Sequence, residues 1–138
     1  MLISIDDIEN AFLFVSMDQR YMNSAYLCKN SGQIFYASEL GDSDELPEDI
    51  DDTDKYITIP HKIDLDLGQV LVFEFTSKYI QEEMDRIRNF FRSRGAYSRY
   101  KDFLDQKGLL DQWHKFEDER RKTALKEWCH DNGIEIKG

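Results

Sequence analysis

Two prolines, two cysteines and seven glycines are all that this chain of 138 residues holds of those three types. So little Gly and Pro excludes a collagen-like repeat or a linker. Cys28 and Cys129 lie far apart and outside any Cys-x-x-Cys pair, which excludes a disulfide scaffold, so both are expected reduced and packed. No apolar stretch approaches the roughly 20 residues of a membrane-spanning helix. The first residues carry Asp6, Asp7 and Glu9 where a secretory signal would be cationic, so a cytoplasmic protein with no membrane contact is expected. No Gly-x-Ser-x-Gly, P-loop or dinucleotide fingerprint occurs.

What is present is enough for one core. With 41% hydrophobic and 13% aromatic residues the chain escapes the composition of a disordered segment, and its length suits a single domain spanning residues 1–138. The net charge is −10 and the pI about 4.7, which disfavours nucleic acid as a partner. That charge is unevenly spread. Nine carboxylates and no Lys or Arg fall between Glu39 and Asp54, whereas six cations and no carboxylate fall between Arg86 and Lys101.

Local patterns give an α+β order. Ser4 followed by Asp7 resembles a capping box, and Ile5, Ile8, Phe12 and Val15 recur at helical spacing, which predicts a helix over 5–17. Residues 23–29 and 33–38 flank Asn30-Ser31-Gly32 and predict a β-hairpin, with a third strand over 55–59 stopped by Pro60. The acidic run at 39–54 has no period and is expected to be a mobile, solvated loop. Residues 65–75 are ambiguous: Val70-Leu71-Val72-Phe73-Glu74-Phe75 favours a strand by residue type, while Leu67, Leu71 and Phe75 suit a helix face. A helix is expected from Tyr79 to near Gly95, a second over 96–107 stopped by Gly108, and a third from Leu109 to Asn132-Gly133. A short strand at 134–136 follows. The predicted architecture is an N-terminal helix, a three-stranded antiparallel sheet, and a C-terminal layer of three to four helices packed on one face of it.

Several blocks of residues are familiar together: Arg94-Gly95-Ala96-Tyr97, Lys101-Asp102, Trp113-x-x-Phe116, and Trp128 with Asn132-Gly133-Ile134. With Ala11-Phe12, the Tyr26–Ile34 segment, the acidic stretch and Ile59-Pro60, they resemble a family of small acidic bacterial proteins of uncharacterised function. The resemblance covers nearly the whole chain. It implies architecture and no reaction, and it implies a helix over 65–78. Ser93 departs from it by standing where the family suggests Gly.

Arg88 and Arg92, four apart, are expected on one helix face, with Gly95 allowing a close interhelical turn and Arg94 beside the free amides of the next helix. Arg88, Arg92, Arg94 and Gly95 are therefore the candidate site for an acidic group, against the competing reading of solvated flanks and local pairs such as Lys101 with Asp105. The acidic loop fails the EF-hand template, because counting from Asp42 puts Pro47 sixth and Thr53 twelfth. His61, His114 and His130 form no ligand pattern, since Asp111-x-x-His114 has no second copy. No metal, no cofactor and no catalytic residue is assigned. The aromatic stripe of Tyr97, Tyr100, Trp113, Phe116 and Trp128 is read as core.

The functional expectation is a non-catalytic interaction or regulatory module whose partner is another protein or a small anion. Two alternatives stand beside it. One is a small enzyme or binding domain for an anionic metabolite, seated between sheet and helices. The other is an acidic nucleic-acid mimic that blocks a basic partner.

Overall fold

A computed structural model describes residues 2–137, and within these no helix is long and apolar enough to cross a membrane. The fold is α+β. Two compact units emerge from the chain: one runs to Leu65 and resumes at Lys122, the other comprises Asp66–Arg121.

In the first unit, strand β1 (Leu2–Ser4) leads directly into helix α1 (Ile5–Ser16). Ser4 caps that helix by accepting from the amide of Asp6 at 3.2 Å, and Asp6 and Asp7 in the first turn complement the positive helix end. Its buried face is Ile8, Ala11, Phe12 and Val15, the stripe that the spacing predicts. Strands β2 (Asn23–Cys28), β3 (Ile34–Ser38) and β4 (Tyr56–Thr58) form an antiparallel sheet in the order β3-β2-β4. The expected hairpin and third strand are thus present, and Gly32 takes the positive φ of 78° that its turn needs. On central β2, Asn23, Ala25 and Leu27 alternate inward. Strand β5 (Glu135–Lys137) pairs in parallel with β1, Leu2 opposite Glu135, so the C-terminal strand expected from sequence has a partner that the sequence did not announce.

Irregular chain in this unit is held by specific polar contacts. His61, buried, accepts at Nδ1 from the amide of Ile63 (3.1 Å), and its Nε2 lies 2.7 Å from the carbonyl of Asp18, so both ring nitrogens have partners. Asn23 donates to the carbonyl of Phe14 at 3.1 Å, and the hydroxyl of Ser38 donates to Asn23 at 2.6 Å.

The second unit is helical: α2 (Gln69–Tyr79), α3 (Met84–Phe90), α4 (Ala96–Gln106) and the first half of α5 (Leu110–Asp131), whose residues 122–131 belong to the first unit. The ambiguous segment is therefore a helix, against its residue-type preference. A strand would have divided its large apolar side chains between two faces, whereas the helix gathers Leu71, Val72, Phe75 and Thr76 into the core. The Thr76 hydroxyl is satisfied by donating to the carbonyl of Val72 at 2.8 Å.

Aromatic rings dominate this core. Phe75 meets Trp113 and Phe116, each with centroids 5.4 Å away, and Trp113 stands edge-on to Tyr100 at 5.1 Å. Tyr100, Trp113 and Phe116 are buried, while Tyr97 and Trp128 are half-buried; Leu125 and Cys129, next to Ala124 and Trp128, take the deepest positions of the second half of α5. The helix expected to run from Tyr79 to Gly95 is shorter. One tight turn at Gln81–Glu83 precedes α3, which ends at Phe90, because Phe91 leaves helical geometry and its amide bonds back to the carbonyl of Arg88.

Candidate functional site

The basic run maps onto the end of α3, the turn over residues 91–95, and the start of α4. Gly95 sits at the N-terminal cap of α4 with φ 77° and ψ 16°, a left-handed conformation that a side chain disfavours. A Cβ there would also lie 3.2 Å from Nη1 of Arg99. Gly95 is thus required by the turn and by a close side chain, in place of the close helix approach that the sequence suggested.

Arg99 is the organiser of this turn. One turn into α4, it reaches back so that Nη2 donates to the carbonyls of Phe90 (3.0 Å) and Ser93 (3.2 Å) and to the hydroxyl of Ser93 (2.8 Å). A guanidinium at the end of α3 satisfies the carbonyl of its last residue, Phe90, and faces the negative helix end at once. Ser93 contributes one of these acceptors by its side chain, which gives a physical reason for Ser here where the resemblance suggests Gly. Arg99 is not among the candidate residues named from sequence; its position four residues beyond Gly95 is the signal that could have found it.

The other cations divide in two. Arg86 lies over the Phe103 ring at 5.0 Å and 3.9 Å from Glu83. Arg88, in the last turn of α3, and Arg92 and Arg94, in the connecting turn, are exposed, and among the described residues their side chains make no hydrogen bond or ion pair. Arg88 and Arg92 do not share a helix face, because α3 ends between them. Lys101 and Asp105 do not form the local pair that the competing reading invokes. The turn therefore presents three unpaired guanidinium groups from backbone fixed by a fourth. Guanidinium forks match carboxylate and phosphate oxygens in pairs.

The acidic run is arranged differently. Asp44 accepts from the amide of Tyr36 at 2.9 Å and donates its own amide to the Tyr36 carbonyl at 2.8 Å; the hydroxyl of Ser43 accepts from the amide of Ser38 at 2.9 Å. These contacts occupy the outer edge of β3, so that edge is closed to strand addition along Tyr36 and Ser38. Farther along, Asp49 takes the Lys55 ammonium at 2.8 Å and the Tyr56 hydroxyl at 3.2 Å, and the Lys55 ammonium beside it holds its carboxyl below the usual range. Glu39, Asp42, Glu45, Glu48, Asp51 and Asp54 project into solvent.

Among the described residues, no basic side chain is bonded to either thiol. Burial pushes Cys129 up to about 11, which keeps it a neutral packing group. The hydroxyl and amide of Ser31 lower Cys28, which is half-buried at the hairpin end. No three His, Cys, Asp or Glu side chains among the described residues are grouped to hold a metal ion.

Comparison with known proteins gives no match among curated proteins and none among solved structures. One family model does match, over residues 1–137, and on that ground the chain belongs to the Uncharacterised protein family UPF0158.

Proposed function

We propose that the chain is a non-catalytic interaction module that holds an acidic group of a partner protein at the turn between α3 and α4. The observation that carries this reading is the division of labour among the arginines. Arg99 is consumed by the backbone of the turn, whereas Arg88, Arg92 and Arg94 stay exposed and unpaired in a chain of net charge −10. With 28 carboxylates available, neutralising three arginines internally would cost a fold little, and leaving them open suits an external acid. Recognition by exposed charge gives fast, salt-sensitive association.

The test compares the unaltered chain with Arg88→Ala/Arg92→Ala/Arg94→Ala as baits in cell extract at low and high salt. The expected result is a protein retained at low salt by the unaltered chain, lost at high salt, and lost from the triple variant with no change in melting temperature. Equal retention by both baits, or a large fall in melting temperature of the variant, would overturn the assignment.

A further inference from the structure

A trough separate from the basic turn runs between α2 and α5. The packing of Phe75 on Trp113 and Phe116 brings the two helices together at one level. Beyond that level the ring of Tyr79, 39% exposed, stands edge-on to Phe116 with centroids 6.3 Å apart. The space lined by these two rings together with charged and polar side chains of both helices is about 380 Å³ and open to solvent. That volume lies within the range of small-molecule sites and is too small for a folded partner.

The charges of the walls can be sorted by what they already hold. Arg120 of α5 bridges to Glu74 of α2 at 3.0 Å, which ties the helices together and removes one charge of each sign. The ammonium of Lys78 is held 5.2 Å from the centre of the Tyr79 ring, so it stands over the floor. Lys115 lies on the opposite wall with Gln112 and Glu119, and none of these three has a partner among the described residues. After the Arg120–Glu74 pair, two ammonium groups face one carboxylate. In a chain of net charge −10, such a local excess of cation over an aromatic floor runs against the field of the molecule.

The geometry points to a binding site in this trough for a small planar ring carrying one anionic group. The ring packs against Tyr79, the more exposed of the two, and meets Phe116, whose plane is 83° away, at its edge. The anionic group meets Lys78 and Lys115, and the Gln112 amide supplies a hydrogen bond that is indifferent to charge. Carboxylate and phosphate share this chemistry. The site does not depend on the reading of the basic turn, since it uses none of its residues.

Titration of the isotope-labelled chain with four probes, followed by amide NMR signals, tests the assignment. 4-Hydroxybenzoate and adenosine monophosphate are rings with a carboxylate or a phosphate; phenol is the ring without charge, and inorganic phosphate is the charge without a ring. At least one charged ring is expected to shift signals of residues 74–79 and 112–120 saturably, with phenol and inorganic phosphate at least tenfold weaker. Whichever charged ring binds more tightly identifies the anion. Lys78→Met/Lys115→Met, which keeps the aliphatic stems, should weaken binding at least tenfold at an unchanged melting temperature, while Arg88→Ala/Arg92→Ala/Arg94→Ala leaves it unaltered. Failure of both charged rings to saturate, equal binding of phenol, shifts outside those residues, or full binding by the double Met variant would each overturn the proposal.

Discussion

The acidic loop and the basic turn are the two charge runs of this molecule; each leaves several charges to solvent, but the charges that hold the chain do so through opposite backbone groups. In the loop, the carboxylates at Asp44 and Asp49 are spent on the protein itself, one closing the edge of β3 and one tying Lys55 and Tyr56. In the turn, a single cation, Arg99, does the structural work for the backbone, and three neighbouring guanidiniums are left over. The difference follows from backbone chemistry. An edge strand offers N–H donors, which the Asp44 carboxylate satisfies at Tyr36; a helix end and the turn after it offer carbonyls, and one arginine nitrogen satisfies those of Phe90 and Ser93.

If Arg99 and Gly95 are the structural half of the turn, their replacement should produce the largest effects. Gly95→Ala forces a side chain into left-handed geometry at a cost of about 1–2 kcal/mol, and Arg99→Ala removes charge-assisted bonds to Phe90 and Ser93 worth about 1.5–3 kcal/mol. Urea denaturation should show both as a lower midpoint at constant slope. The double variant should lose less than the two single losses together, because the Cβ contact at 3.2 Å vanishes with Arg99. Strict additivity would show that Gly95 and Arg99 act separately.

A smaller effect is expected in the loop. Asp44→Ala removes the acceptor of the Tyr36 amide and should cost about 1 kcal/mol, with faster amide exchange at Tyr36, whereas Glu45→Ala should change neither. Exchange at Tyr36 that stays slow would mean that β3 keeps its edge closed without the carboxylate.

Acid should separate the two runs further. Asp49 in the folded chain binds its proton less readily than in the unfolded chain, chiefly because of its hydrogen bond from Lys55. A lowered carboxyl contributes stability that is present above its ordinary value of 3.8 and is lost as pH falls through the folded value. Exchange at the amides of Lys55 and Tyr56, both bonded to the carbonyl of Asp52, should therefore accelerate below that range. Asp49→Asn should show the acidic behaviour already at neutral pH. The turn over 91–95, whose side-chain contacts come from a guanidinium and neutral acceptors, should keep its protection through the same titration.

Much of this architecture is legible in residue order. Helix α1 follows from its cap and stripe, the hairpin from Asn30-Ser31-Gly32, and the ends of α4 and α5 from Gly108 and Gly133, both with positive φ. Segment α2 was not legible from residue type, because Val and Phe favour strands until a helical core offers one face for Leu71, Val72 and Phe75. The pairing of β1 with β5 was hidden because it joins the two ends of the sequence and leaves no local trace. At the site, composition located the cationic run but not its partition, since which arginine turns back to the chain depends on where α3 ends. That end lies at Phe91, whose amide turns back to the carbonyl of Arg88, and the residue types there do not mark it.

The smallest predicted effect is the one on which the comparison rests. Arg88→Ala, Arg92→Ala and Arg94→Ala should each shift unfolding free energy by no more than about 0.5 kcal/mol, since each side chain is exposed and gives up no hydrogen bond or ion pair among the described residues. Because the chain is already acidic, removing a cation adds weak long-range repulsion that salt screens. Measured in 0.5 M salt, the three single variants should therefore be indistinguishable from the unaltered chain, while Arg99→Ala keeps most of its deficit, which comes from short-range hydrogen bonds. A loss at Arg94 comparable to that at Arg99, persisting in salt, would place Arg94 in the structural half of the turn and leave too little free charge there for a partner's acid.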